Sequence, residues 1–146
     1  MSLTKIRSIG KLFGGAGFLC VILSGCGVNG EEFQPRTPPA EQSVIYIYRP
    51  YKILGSSASP IVTCGSETIE MEPGGFYSFA QETGTVTCTT TQSGSSNATL
   101  GLKFEARPGE QYFIKEDVNS GTPLTLVKAS VGSDEIKDCR RQGIKH

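Results

Sequence analysis

Five cysteines, one histidine and a cluster of glutamates are the residues of this 146-residue chain with chemical potential. A thiol serves as nucleophile or metal ligand only as its thiolate. Cys20 and Cys26 lie near the N-terminus; Cys64, Cys88 and Cys139 are spread through the remainder. Their spacing contains no C-x-x-C pair, so it does not resemble a structural zinc site. The histidine is His146, the last residue of the sequence, where no shell can orient it as the base of a nucleophilic triad. Glu67, Glu70 and Glu72 crowd one segment. On an extended strand, Glu70 and Glu72 would share a face about 6–7 Å apart, within the range of a paired-carboxylate glycosidase. A solvated strand edge accounts for them equally well. The expectation is therefore a protein that is not an enzyme and uses no metal or cofactor.

Tyr46, Tyr48, Arg49 and Tyr51 form the candidate binding strip. If Ile45 and Ile47 point into a core, both tyrosines face outward, and an aromatic strip with an arginine suits a protein or sugar partner. In the opposite arrangement the tyrosines are core residues and the isoleucines lie beneath another layer. The sequence leaves both open.

The elements that would carry these residues begin with a targeting layout. Lys5, Arg7 and Lys11 precede an apolar run over residues 12–23. Twelve residues span about 18 Å as a helix, against a hydrocarbon core of about 30 Å, so the run suits a signal peptide better than a permanent span. It ends in Leu23-Ser24-Gly25-Cys26. This tetrapeptide resembles the lipobox of bacterial lipoprotein precursors. The resemblance implies a diacylglycerol on the Cys26 thiol, cleavage between Gly25 and Cys26, and acylation of the new amino group. Several acyl chains, at about 0.8 kcal/mol per buried methylene, anchor a protein stably. Gly27 and Val28 follow the cysteine with no aspartate, a pattern that in enterobacterial lipoproteins implies the periplasmic side of the outer membrane rather than the inner membrane.

Of the 14 basic side chains, three precede the cleavage site, so the mature chain has 11 against 14 acidic ones and a net charge of −3. No basic stripe is present for nucleic acid, and no polybasic block for a membrane surface. Residues 26–43 contain the lipidated cysteine, Pro35, Pro38 and Pro39, and no apolar period; they read as a flexible tether reaching roughly 20–50 Å.

From Val44 the pattern becomes β-like. Short runs at 44–48, 61–64, 68–71, 76–80, 85–91, 100–106, 111–116 and 122–127 are separated by turn residues such as Pro73-Gly74-Gly75 and Pro108-Gly109. Leu100, Leu102, Phe104 and Ala106 alternate with polar or small residues, the period of a half-buried strand. Ser133 reads as the N-cap of a closing helix, with Asp134 and Glu135 in its first turn and Ile136 and Cys139 on its packed face. The fold class expected is mainly β: a small antiparallel β-sandwich of seven or eight strands over residues 44–142, one short C-terminal helix, and a tail at 143–146.

Tyr46-Ile47-Tyr48-Arg49-Pro50, Gly74-Gly75-Phe76-Tyr77 and Pro108-Gly109-Glu110-Gln111-Tyr112-Phe113-Ile114 resemble a group of small bacterial lipoproteins whose domain has no established function. Their strand-turn pattern is also similar to PEGA-type β-sandwiches, although the PEGA tetrapeptide is absent. The resemblance implies an envelope sandwich and no activity. In an exported domain the first expectation for the thiols is a disulfide. Cys64–Cys88 is the favoured pairing, both residues lying in strands of one sandwich, and pairing through Cys139 stays open. The functional expectation is an interaction or structural module that contacts a protein complex of the cell envelope, with cell-wall glycan or peptidoglycan as the alternative ligand.

Overall fold

The computed structural model describes residues 28–91 and 100–144. Nine strands are found among them: β1 (Gln42–Tyr48), β2 (Ile61–Cys64), β3 (Glu67–Glu70), β4 (Gly75–Glu82), β5 (Gly84–Thr91), β6 (Leu100–Ala106), β7 (Gln111–Glu116), β8 (Leu124–Val127) and β9 (Arg140–Arg141). A helix α1 (Ala129–Glu135) and a 3-10 turn (Ile136–Asp138) lie between β8 and β9. One sheet has the order β8-β7-β1-β4-β9 and the other β3-β2-β5-β6. The chain is a small β-sandwich, as its strand spacing implies.

The sheets meet over Ile45, Ile47, Phe79 and Ile114 from the first and Val62, Cys64, Val86 and Cys88 from the second. Leu102 and Phe104 of β6 pack against this core while Gly101, Lys103 and Glu105 are exposed, so the period-two reading of that strand is correct. The sandwich is not wholly antiparallel. β7 runs parallel to β1, and β9 parallel to β4. After β4 the chain crosses to the second sheet for β5 and β6. It returns through Pro108-Gly109 beside the start of β1, where the Gly109 N–H donates to the Gln42 carbonyl at 2.9 Å. From there β7 can lie next to β1 only in the same direction. Gly109 has φ 75°, a backbone conformation that favours glycine.

A second core covers the outer face of the first sheet. It joins Val44, Tyr46, Tyr48, Phe76 and Phe113 of the sheet to Phe33 before it and to Ile136 and Cys139 after it. Within the tether expected over residues 26–43, the described stretch from Gly30 to Arg36 is docked on this sheet. Phe33 meets the rings of Tyr46, Phe76 and Phe113 edge-on at 5.3, 5.9 and 6.2 Å. The Arg36 N–H donates to the Tyr46 hydroxyl at 2.7 Å, and Gln111 Nε2 donates to the Arg36 carbonyl at 2.9 Å. One buried aromatic and these hydrogen bonds outweigh a proline-rich composition that by itself argues for an extended linker.

The closing helix starts four residues earlier than Ser133. Its N-cap is Lys128, without a side-chain cap. The helix is held by tertiary contact rather than capping. Gly132 lies so close to Phe113 that a Cβ there would overlap the ring. Ile136 and Cys139 do share the packed face. Arg140 and Arg141 form β9 and ion-pair with Glu32 and Glu31 of the N-terminal segment at 3.3 and 3.6 Å.

Candidate functional site

β1 and β7 end side by side and bring Arg49 and Glu116 together. Arg49 lies two residues beyond Ile47 and Glu116 two beyond Ile114, so both continue the faces turned toward the second sheet. Arg49 Nε lies 3.2 Å from Glu116 Oε2, with the two side chains 4% and 1% exposed. Arg49 Nη1 also donates to the carbonyls of Ala58 and Met71 at 2.8 and 2.9 Å, and Nη2 donates to that of Gly55 at 2.7 Å. One guanidinium thus ties together the β1–β2 loop, the end of β3 and the end of β7. The planar fork of arginine suits such divided bonding.

Neither carboxylate oxygen of Glu116 has a well-directed hydrogen-bond donor among the described residues. Burial pushes this carboxyl up to about 7, and the attraction of Arg49 only partly opposes it. Arg49, Lys52, Glu116 and Asn119 border a cavity of about 10 Å³, room for about one water. Chemically, the arrangement is a proton-binding brace rather than a substrate cleft. Between pH 4.5 and about 7 the folded chain retains a proton that the unfolded chain has released. Stability therefore falls as pH rises through this window and levels off above it, by at most about 3 kcal/mol. The thermal midpoint should drop by several degrees from pH 5 to pH 8. Glu116→Gln, which mimics the neutral form, should remove that drop. The same slope in both proteins would show that Glu116 is not the group responsible.

The candidate strip is not a surface. Tyr46, Tyr48 and Arg49 are buried, and only Tyr51, at 52%, is exposed. Phe33 lies over Tyr46, and the Tyr48 hydroxyl donates to Glu135 at 2.6 Å beneath the C-terminal segment. That phenol is held well above its ordinary range, by burial first and the Glu135 carboxylate second. The hydrogen bond from Tyr48, followed by that from Lys115, pulls Glu135 below the usual carboxylate range. The tyrosines are core residues because this sheet is covered on both faces.

β3 ends at Glu70, Met71 turns into the core and Glu72 leaves the strand, so Glu70 and Glu72 do not form a facing pair on one strand. Gln142 holds this departure. Its Oε1 accepts from the Glu72 N–H at 3.0 Å and its Nε2 donates to the Glu70 carbonyl at 2.7 Å. No His, Cys, Asp and Glu cluster among the described residues could hold a metal. Cys64 and Cys88 face each other in the β2–β5 register at disulfide-bonding distance, with Cα atoms 4.0 Å apart. Cys139 is buried and free; its thiol donates to the Arg49 carbonyl at 3.8 Å, and burial pushes it up to about 12. Cys20, the Gly25–Cys26 cleavage and lipidation site, and His146 lie outside the described residues.

Sequence reasoning missed the Arg49–Glu116 pair. The available signal was a charge placed at the next inward position of two strands that are otherwise apolar inside. No protein-family model matches the chain, and no curated protein matches it.

Proposed function

We propose that the protein is a lipid-anchored, non-catalytic lipoprotein of the cell envelope, held on the periplasmic side of the outer membrane and contacting an envelope protein complex. The observation that carries this reading is Leu23-Ser24-Gly25-Cys26 at the end of a short apolar run behind Lys5, Arg7 and Lys11. A cysteine pair at bonding distance suits an oxidising compartment. The ionic groups near the β1 and β7 ends are engaged with one another and with backbone carbonyls, which suits a rigid interaction module.

Wild-type protein is expected to take up labelled fatty acid and to sediment with membranes. Cys26→Ser should take up none and should lose the mass of the lipid. Crosslinking in intact cells should then recover a discrete envelope protein with the wild type and not with Cys26→Ser. Unchanged mass and membrane attachment in Cys26→Ser would remove the lipoprotein reading. Retention of the protein by isolated cell wall alone would replace the protein partner with a glycan.

A further inference from the structure

The β1–β2 loop carries an apolar tip on a tied-down backbone. Tyr51, Ile53 and Leu54 are 52%, 81% and 79% exposed. Single exposed apolar residues are ordinary, but three within four positions form a patch. This tip is not a loose loop. Arg49 holds the Gly55 and Ala58 carbonyls, Asn119 Nδ2 donates to the Leu54 carbonyl at 2.8 Å, and Lys52 pairs with Asp117 at 2.6 Å. Ile61, also partly exposed, begins β2 at the same end of the sandwich.

The N-terminal segment leaves the domain at this end too. Gly30 abuts the Arg141 carbonyl, and the Arg141 N–H donates to the Glu31 carbonyl at 2.9 Å. Arg140 in turn donates to the Gly74 carbonyl, and Gly74 to that of Arg49, each at 2.8 Å. Tyr51 borders Gly74, where an added Cβ would meet the Tyr51 Cβ at 3.5 Å. A short ladder of hydrogen bonds therefore connects the exit of the N-terminal segment to the base of the apolar tip. Cys26 precedes Gly30 by four residues, a covalent reach of at most about 14 Å.

We propose that this end of the sandwich docks on a lipid bilayer, with Ile53 and Leu54 entering the interfacial region. The inference rests on lipidation of Cys26. A lipid there holds the Gly30 end within about one interfacial layer of the membrane, because the docked segment removes most of the slack a free tether would supply. Three ion pairs lie at this end, Lys52 with Asp117, Arg140 with Glu32 and Arg141 with Glu31, and Glu70 stands opposite Ile61 beside them. No surplus of basic side chains faces the headgroups here, so the contact is apolar rather than polybasic.

The chain contains no tryptophan, so Leu54→Trp introduces a sole tryptophan at the tip, excited selectively over the tyrosines at long wavelength. Thr83→Trp places one on the exposed corner between β4 and β5, at the opposite end. Each mature, lipidated variant is reconstituted in phosphatidylcholine vesicles with or without brominated acyl chains. The Leu54→Trp emission should shift to the blue and fall by about half with brominated lipid, as a side chain buried several ångströms into the acyl boundary would. The Thr83→Trp emission should not change. If neither is quenched while both proteins float with the vesicles, the anchor stands and the docking face is wrong, leaving the tip to a protein partner. If both are quenched, the orientation is wrong. If the proteins do not float, lipidation fails and this inference fails with it.

Discussion

Arg49→Ala is expected to lower the unfolding free energy by about 3–5 kcal/mol at pH 8, the range for removing one partner of a buried ion pair. The guanidinium has the Glu116 carboxylate on one side and the carbonyls of Gly55, Ala58 and Met71 on the other. Truncation leaves the charge without a counter-ion and the carbonyls without a donor, and each such buried polar group costs about 1–3 kcal/mol. At pH 5 the loss should be smaller, because Glu116, already pushed up to about 7, is then neutral. Arg49→Lys keeps the charge but cannot divide its donors among four acceptors, and should fall between the two. Urea unfolding of the three proteins at pH 5 and pH 8 measures all of this. A loss under about 1 kcal/mol at both pH values, typical of an exposed pair, would mean that solvent reaches the pair.

Most strands were legible because their signals were local. Pro73-Gly74-Gly75 and Pro108-Gly109 mark turns on either side of apolar runs, and β6 alternates as a half-buried strand should. Readings failed where a distant segment decided the outcome. β1 is buried on both faces, from Ser43 to Tyr48, because Phe33, Ile136 and Cys139 cover one side and the second sheet covers the other. A strand buried on both faces loses the alternation from which an outward face is read. Tyr46 and Tyr48 therefore look like a strip in sequence when they are two of the eight residues of a second core. The same cover turned an apparent tether into a docked segment, and nothing within residues 26–43 announces that except Phe33. The helix start was misplaced because Ser133 has the chemistry of a cap, whereas the packing of Gly132 on Phe113 places it inside the helix. The candidate strip failed with the tyrosines. Arg49 is a buried brace instead of a surface contact.

The pairing of Cys64 with Cys88 was favoured from strand placement, and the two lie opposite each other in adjacent strands. Between them the chain completes β3, crosses to the first sheet for β4 and returns as β5. A bond here closes that excursion at a sequence separation of 24, which in the chain-entropy account stabilises the fold by about 3 kcal/mol. Both sulfurs lie in the inter-sheet core, so the folded protein should resist reduction, and the comparison requires refolding the reduced chain. Oxidised and reduced wild type, unfolded in urea, should differ by about that amount, which separates the bond from the packing that a Cys→Ala change would also remove. Thiol counts identify the bond directly. In mature protein whose Cys26 carries lipid, unfolding without reductant should expose one thiol, Cys139. That thiol should be silent toward alkylating reagent while folded, because burial raises it to about 12. Three thiols without reductant would leave the pair apposed but unbonded, in a reducing compartment, and the export reading would lose its redox support.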